Sequence, residues 1–375
     1  MTKTAEETLL QLFSTDKIAF VAEPEPTEFY STGSLMLDFA FGGGLPVGRW
    51  TILYGNEGWG KTTLALMAAK SVIDRGGYVA YVDTEAAVEP IWAGKFGLNI
   101  HSEHSDRRMW LLQPPSAEKA LNAMRKMVRW QHPDHPARAA FDLIILDSIA
   151  ALATEAELAG DIGDKTIASR ASVLAQYFKA AKTELANSTT AVLMLNQVRD
   201  KFGQASFAYG PQVQMPGGHS PRFYASIISK VAQRPVPVIH KTTGEILGLE
   251  FKVKVTKNKV GRNGREAVIT VFLDTGMADI TAELAALGRE LGVFTKEDGS
   301  PIKGACSWYF QGEKVAVGED AVTRALDEDH ELANQVEAAV RYGIAHLNKA
   351  DAEAPLVALD MEPDEVLGEM LDGDL

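Results

Sequence analysis

The stretch Tyr54 to Thr63, Y-G-N-E-G-W-G-K-T-T, restricts the fold of this chain more than any other. It fits G-x-x-x-x-G-K-[ST], with Gly55, Gly60, Lys61 and Thr62 in the fixed positions. Gly55, Gly58 and Gly60 let the backbone curl with its N–H groups aimed inward at a phosphate. Lys61 supplies an ammonium for the terminal phosphates, and Thr62 a hydroxyl for Mg²⁺. Asn56, Glu57, Trp59 and Thr63 complete the expected phosphate-binding loop. The flanks R-W-T-I-L-Y and T-L-A-L-M-A-A-K-S-V read as a buried strand and a helix whose N-terminus favours an anion. That context separates a phosphate site from a chance glycine turn. The expected fold is therefore α/β, a P-loop NTPase core with a mostly parallel central sheet.

Three more apolar runs end in polar residues. Y-V-A-Y-V-D leads into Asp83-Thr84-Glu85, F-D-L-I-I-L-D-S ends in Asp147-Ser148, and T-A-V-L-M-L-N-Q ends in Asn196-Gln197. Each reads as a buried strand. Its polar end falls on the carboxyl edge, where open α/β sheets bind ligands. Asp147 suits the acid that holds Mg²⁺ through water, and Ser148 is expected to cap the next segment. Glu85 is placed to orient or deprotonate a water; alternatively it is an acid at a helix start. Gln197 would sense a γ-phosphate or be a locally satisfied amide. Glu89 and Trp92 lie three apart on an expected helix, where Trp92 either stacks on a purine or packs. M-W-L-L-Q is a further strand, followed by a helix from about Ser116 to Arg129. In H-P-D-H-P-A-R, His132, Asp134 and His135 invite a metal, but Pro133 and Pro136 make a loop the better account.

Charge is unevenly spread. The net charge is −13, yet residues 351–375 carry nine acids and no Lys or Arg. Gln197 to Arg265 carries twelve Lys or Arg against three acids. A basic region beside an acidic tail suggests a polyanion site with an internal competitor, or equally a solvated surface with an inert end. Arg199 to Ser220 has neither helical nor strand period and holds Phe202, Phe207 and Tyr209. A long loop of that kind in a compact domain is usually functional, and bases with aromatics suit a nucleic acid. The polar stretch from Glu155 reads as a loop leading into a helix from Ser169 to Leu185. E-F-K-V-K-V-T-K alternates as a half-exposed strand ending at Lys257-Asn258-Lys259. The single Cys306 excludes an internal disulfide, and no apolar run is long enough to span a bilayer. These features suggest a cytoplasmic protein.

The chain resembles the RecA family of DNA strand-exchange recombinases, nearer its bacterial branch, with a phage source open. The resemblance rests on S-T-G-S-L-M-L-D-F-A, G-L-P-V-G-R, G-N-E-G-W-G-K-T-T, Y-V-D-T-E, L-I-I-L-D-S-I-A-A-L, G-D-I-G-D, L-N-Q-V-R, P-G-G, F-Y-A-S and V-T-K-N-K. A fainter match, A-L-G-R-E-L-G-V-F and C-S-W-Y-F-Q-G-E-K-V, extends it towards the C-terminus.

The resemblance implies a DNA-dependent ATPase that forms a helical filament on single-stranded DNA and exchanges strands with a homologous duplex. It implies ATP and Mg²⁺ at Lys61, Thr62, Asp147 and Ser148, water activation by Glu85, and adenine against Trp92 with Glu89 alongside. Gln197 would couple the γ-phosphate to the loop behind it, and Lys257 and Lys259 would complete the neighbouring subunit's pocket. Two DNA-binding loops are expected, at about 157–168 and 198–220. Lys165, Ile167, Arg170, Ser172, Arg199, Lys201, Phe202, Gly217 and Gly218 are their expected DNA contacts. Ser172 stands where an arginine is expected, with Arg170 two residues earlier. The implied organisation is a subunit-packing arm at 1–30, an ATPase core at 31–282, a small α/β domain at 283–348 and an acidic tail at 349–375. A single-strand-binding protein or mediator is an expected partner, and a membrane is not. The rival reading is a hexameric ring helicase on the same core.

Overall fold

The computed structural model describes residues 27–99, 107–133, 135–161, 167–200, 213–214, 216–240 and 242–353. Most of the arm expected at 1–30, and of the tail expected at 349–375, lies outside them.

Six parallel strands form the centre: β1 (Trp50–Gly55), β2 (Val79–Asp83), β3 (Met109–Leu112), β4 (Leu143–Asp147), β5 (Ala191–Gln197) and β6 (Ile227–Val231). They lie side by side in the order β6-β1-β5-β4-β2-β3. Every residue of β2 and β4 is buried, as expected of parallel strands covered on both faces. Alternate side chains enter opposite layers. Tyr81, Ile145 and Leu193 join Leu64 and Met67 of α2 (Lys61–Asp74). Val82, Ile144, Leu146 and Met194 join Leu121 and Met124 of α4 (Ala117–Arg129), and Leu174 and Phe178 of α5 (Ile167–Ala186).

Three antiparallel strands extend the sheet beyond β6: β7 (Val236–Ile239), β8 (Ile246–Asn258) and β9 (Glu266–Phe272). In β8, Phe251, Val253 and Val255 are buried while Lys254 is exposed, so the alternation is realised. Ahead of β1, α1 (Leu35–Phe41) is capped by the Ser34 hydroxyl and ends at Gly42, whose φ of 88° suits glycine. After α2 come α3 (Pro90–Lys95) beyond β2 and α6 (Ser220–Tyr224) before β6. The C-terminal part comprises α7 (Ile280–Glu290), the hairpin β10 (Ser307–Phe310) with β11 (Glu313–Val317), α8 (Glu319–Glu328) and α9 (His330–Glu353). Its core of Leu284, Phe294, Trp308, Val322 and Val336 also takes in Leu35 and Phe39 of α1.

Three local expectations are corrected. Glu155–Ala159 is a short helix, because Thr154 and Glu157 form a capping box, a T-x-x-E signal present in the sequence. α5 starts at Ile167, two residues before the expected Ser169. The Pro/His segment is a hairpin, with Gln131–His132 paired to His135–Ala139; proline is tolerated on such an isolated edge. No helix among the described residues is long and apolar enough to cross a membrane.

Candidate functional site

Parallel pairing sets Gly55 beside Gln197 and Asp83 beside Asp147, so the polar strand ends form one row along the carboxyl edge. The phosphate-loop motif fills the turn from β1 to α2. Gly60 starts the helix with φ 80°, and a Cβ there would meet the Phe251 ring at 2.1 Å. Only glycine fits, for both reasons. Gly58 also has positive φ, 69°. Asn56, Glu57 and Gly58 are exposed, and Trp59 is half-buried against the core.

Lys61 is buried, and its Nζ donates to the carbonyls of Asn56 at 2.8 Å and Gly55 at 3.2 Å. Burial pulls its ammonium below the usual lysine range, against the opposing pull of Asp147, Glu85 and Glu57. The Thr62 hydroxyl donates to Asp147 Oδ2 at 2.8 Å, and the Tyr81 hydroxyl donates to the same oxygen at 2.8 Å. Burial pushes the Asp147 carboxyl up, while the Tyr81 and Thr62 hydroxyls draw it down. A hydroxyl and a buried carboxylate at one strand end are hard oxygen donors. That pair suits Mg²⁺, which takes one or two protein oxygens and fills its shell with water and substrate phosphates. Among the described residues there is no cluster of three or more His, Cys, Asp or Glu able to hold a metal; Asp134, between His132 and His135, lies outside them.

Glu85 is exposed at the end of a turn organised by Asp83, whose carboxylate accepts the N–H groups of Glu85, Ala87 and Val88 at 3.2, 3.3 and 3.2 Å. Glu85 Oε1 accepts from the Ser148 hydroxyl and from Gln197 Nε2 at 3.0 Å. Ser148 was expected to cap the segment after it, which is the 3₁₀ turn Ile149–Ala151. It makes no side-chain cap there, because its hydroxyl is turned to Glu85 instead. The Asp147–Ser148 peptide is cis. Glu89 is the N-cap residue of α3, and Trp92 is half-buried, edge-on to Phe96 at 5.6 Å, with Lys95 Nζ 5.1 Å from its ring.

Directly beyond β5, Arg199 and Asp200 pair antiparallel with Gln214 and Val213, making a two-rung stem for the second loop. The return end is held too: Asn196 Nδ2 donates to the Pro216 carbonyl at 3.0 Å. Gly217 has φ 103°, and a Cβ there would touch Ile149 and Leu174 at 3.0 Å; Gly218 has φ 73°. Lys165, Lys201 and Phe202 lie outside the described residues. Ile167 opens α5. Arg170 donates to the Ala150 carbonyl at 2.9 Å and pairs with Glu157 at 3.5 Å, while Ser172 is exposed one half-turn on.

Lys257 and Lys259 are remote from this edge. In the antiparallel register Lys257 faces Ile228, which pairs with Ile52 near the start of β1. Both ammonium groups donate to the Phe223 carbonyl at 3.3 Å, and Lys257 also reaches that of Arg222. Burial, then Lys259 and Arg222, lowers Lys257 to about 8.

Comparison with known proteins adds family to geometry. The RecA N-terminal domain family matches residues 9–278. The chain is 35% identical over 311 residues to "Protein RecA" of Thermus thermophilus, covering 82% of this chain and 83% of that one. It is 37% identical over 316 residues to "Protein RecA" of Chlorobium limicola, covering 83% and 81%. This chain belongs to the RecA family. The structure of the RadB recombinase aligns at a TM-score of 0.46 and 21% identity, over 66% of this chain and 98% of that one.

Sequence reasoning missed several members of this RecA-family site. Phe251 forces the glycine at 60 from a strand almost 200 positions away, and nothing local signals it. Tyr81 reads as an ordinary strand residue, and Thr84 was visible only as part of the polar end Asp83-Thr84-Glu85, with no role given to it. Asp83 was visible as a polar strand end, and its turn-forming role is a common one for aspartate.

Proposed function

We propose that this RecA-family chain is a DNA-dependent ATPase that assembles as a helical filament on single-stranded DNA and pairs it with homologous duplex. The observation that carries the reading is the convergence of Lys61, Thr62, Asp147, Glu85 and Gln197 on one sheet edge, with Gln197 two residues before the stem of the second loop. Family membership does not favour the ring helicase.

In this mechanism the loop N–H groups and the Lys61 ammonium hold the β- and γ-phosphates, Lys61 exchanging its two carbonyl partners for phosphate oxygens. Mg²⁺, held by Thr62 and facing Asp147, would neutralise charge that develops on those oxygens. Glu85, aimed by Ser148 and Gln197, accepts the proton of the attacking water. Gln197 relays the presence of the γ-phosphate to the second loop, whose bases and aromatics hold DNA backbone and bases. Phosphate contacts make that binding general and salt-dependent.

Self-association has two structural supports. Lys257 lies level with Ile52, about 10 Å of strand from Gly55, and Lys259 follows two residues further on. That distance supports a role at another protomer's phosphate, as with a finger supplied in trans. On the opposite flank, β3 is the last strand of the sheet among the described residues, beside an apolar groove of Leu112, Ala123, Met127 and the exposed Trp130, rimmed by Lys126 and Arg129. The sequence E-E-T-L-L-Q-L-F near the N-terminus has the acids and apolar residues to fill such a groove on a neighbour. The deciding experiment is ATP turnover with and without single-stranded DNA. Glu85→Gln is expected to cut the DNA-stimulated rate by about 10²-fold or more while filaments still form; an unchanged rate removes Glu85 from its role.

A further inference from the structure

One buried hydroxyl at the site has no role in the steps described so far. Tyr81 is fully buried in β2, in the layer shared with Leu64 and Ala68 of α2. Its strand partner is Ile145, two residues short of Asp147 and so about 7 Å away along the strand. A tyrosine ring spans that offset, and its hydroxyl donates to Asp147 Oδ2 at 2.8 Å. Phenylalanine would fill the same core without reaching.

Thr62 meets the same oxygen at 2.8 Å, but the Thr62 hydroxyl also has to serve the ion. Tyr81 serves the carboxylate alone. At the exit of β2, Thr84 treats the main chain in the same way. Its N–H donates to the Asp147 carbonyl at 2.7 Å. Its hydroxyl accepts the Ser148 N–H at 2.9 Å and lies 3.1 Å and 3.0 Å from the carbonyls of Asp147 and Ser148.

We propose that Tyr81 and Thr84 are positioning residues for the metal-facing acid. Tyr81 commits Oδ2 to protein hydroxyls and leaves Oδ1 for the ion's shell. Thr84 sets the backbone from which the Asp147 carboxylate and the Ser148 hydroxyl project in different directions, one to the metal site and one to Glu85. Outer partners of this kind orient the groups that face a metal and tune its affinity. The proposal rests on the ATPase reading above.

The test uses the full chain and a fluorescent, non-hydrolysable ATP analogue, with affinity measured without Mg²⁺ and across a Mg²⁺ titration. Tyr81→Phe is expected to raise the half-saturating Mg²⁺ concentration about tenfold and leave the Mg²⁺-free affinity unchanged. Thr84→Val is expected to shift it in the same direction, and Thr84→Ser, which keeps the hydroxyl, to restore it. A Tyr81→Phe half-saturation within about twofold of the wild type overturns the proposal. So does an equal loss with and without Mg²⁺, which would mark mere packing. If Tyr81→Phe does not fold, the two Thr84 variants decide, and identical behaviour of valine and serine overturns it. A wild-type chain that gains no affinity from Mg²⁺ defeats the ATPase reading as well; a normal wild-type response with unmoved variants defeats only the positioning roles.

Discussion

Gly60 shows how a single residue can be fixed from two directions. Its φ of 80° disfavours any side chain, and Phe251 occupies the space a Cβ would need. Gly60→Ala should therefore cost about 1–3 kcal/mol of stability and most of the nucleotide affinity. Adding Phe251→Leu should recover only part of the stability, because the backbone cost persists; calorimetry on the single and double variants measures this, and full recovery would show that the clash alone mattered. At this scale the sequence was legible where a motif has fixed spacing. Lys61, Thr62, Glu85, Asp147 and Gln197 all come to one edge because each follows a recognisable strand or loop. It was illegible where a residue acts across strands. Tyr81 inside Y-V-A-Y-V-D looks like any strand aromatic, and only the register with β4 reveals its reach.

Among the elements, α7 and α1 are joined by a buried acid. Glu283 accepts from the Ser34 hydroxyl at 2.7 Å and from the N–H groups of Leu35 and Met36 at 2.6 and 3.3 Å, so it caps α1 from the C-terminal part of the chain. Burial raises its carboxyl to about 7, outweighing those hydrogen bonds, with Asp38 adding to the rise. The sign follows from linkage. Between about pH 4.5 and 7 the unfolded chain releases this proton while the folded chain retains it, so stability falls as pH rises through that window and levels off above it. The full effect is about 3 kcal/mol. Denaturation midpoints from pH 5 to 8 should decline more steeply for the wild type than for Glu283→Gln, and parallel curves would contradict the assignment. Most elements of the core could be read from apolar period and glycine punctuation, including the alternating strand that became β8 and the helix that became α4. The hairpin at Gln131–Ala139 could not, since its prolines and histidines lack any strand period. The Glu283 contact joins positions 248 residues apart, beyond any local pattern.

At the scale of the whole molecule, the sheet separates the two proposed halves of a shared site by its own length. The phosphate loop closes one end of β1, and Lys257 and Lys259 stand level with the other. Lys257→Ala should abolish DNA-stimulated turnover although its own phosphate loop is intact, as Lys61→Ala should for the opposite reason. Mixed in equal amounts, the two inactive variants should regain about a quarter of wild-type turnover, since that share of head-to-tail junctions pairs an intact loop with an intact lysine. A mixture as inactive as its components would exclude a shared site. The Lys257 value of about 8 adds a pH dependence in the folded protein: turnover should weaken as pH climbs past 8 and the ammonium is lost, and a steady-state pH series reads this directly.

The second loop departs from Gln197 and comes back at Pro216, and its two roots are fastened to adjacent residues of one strand. Arg199 and Asp200 follow straight on from β5, while the carbonyl of Pro216 hangs from the Asn196 amide. The loop is thus slung from a single post rather than strung between two. A tug on that post would displace departure and return together, so polynucleotide would be seized or dropped as one event.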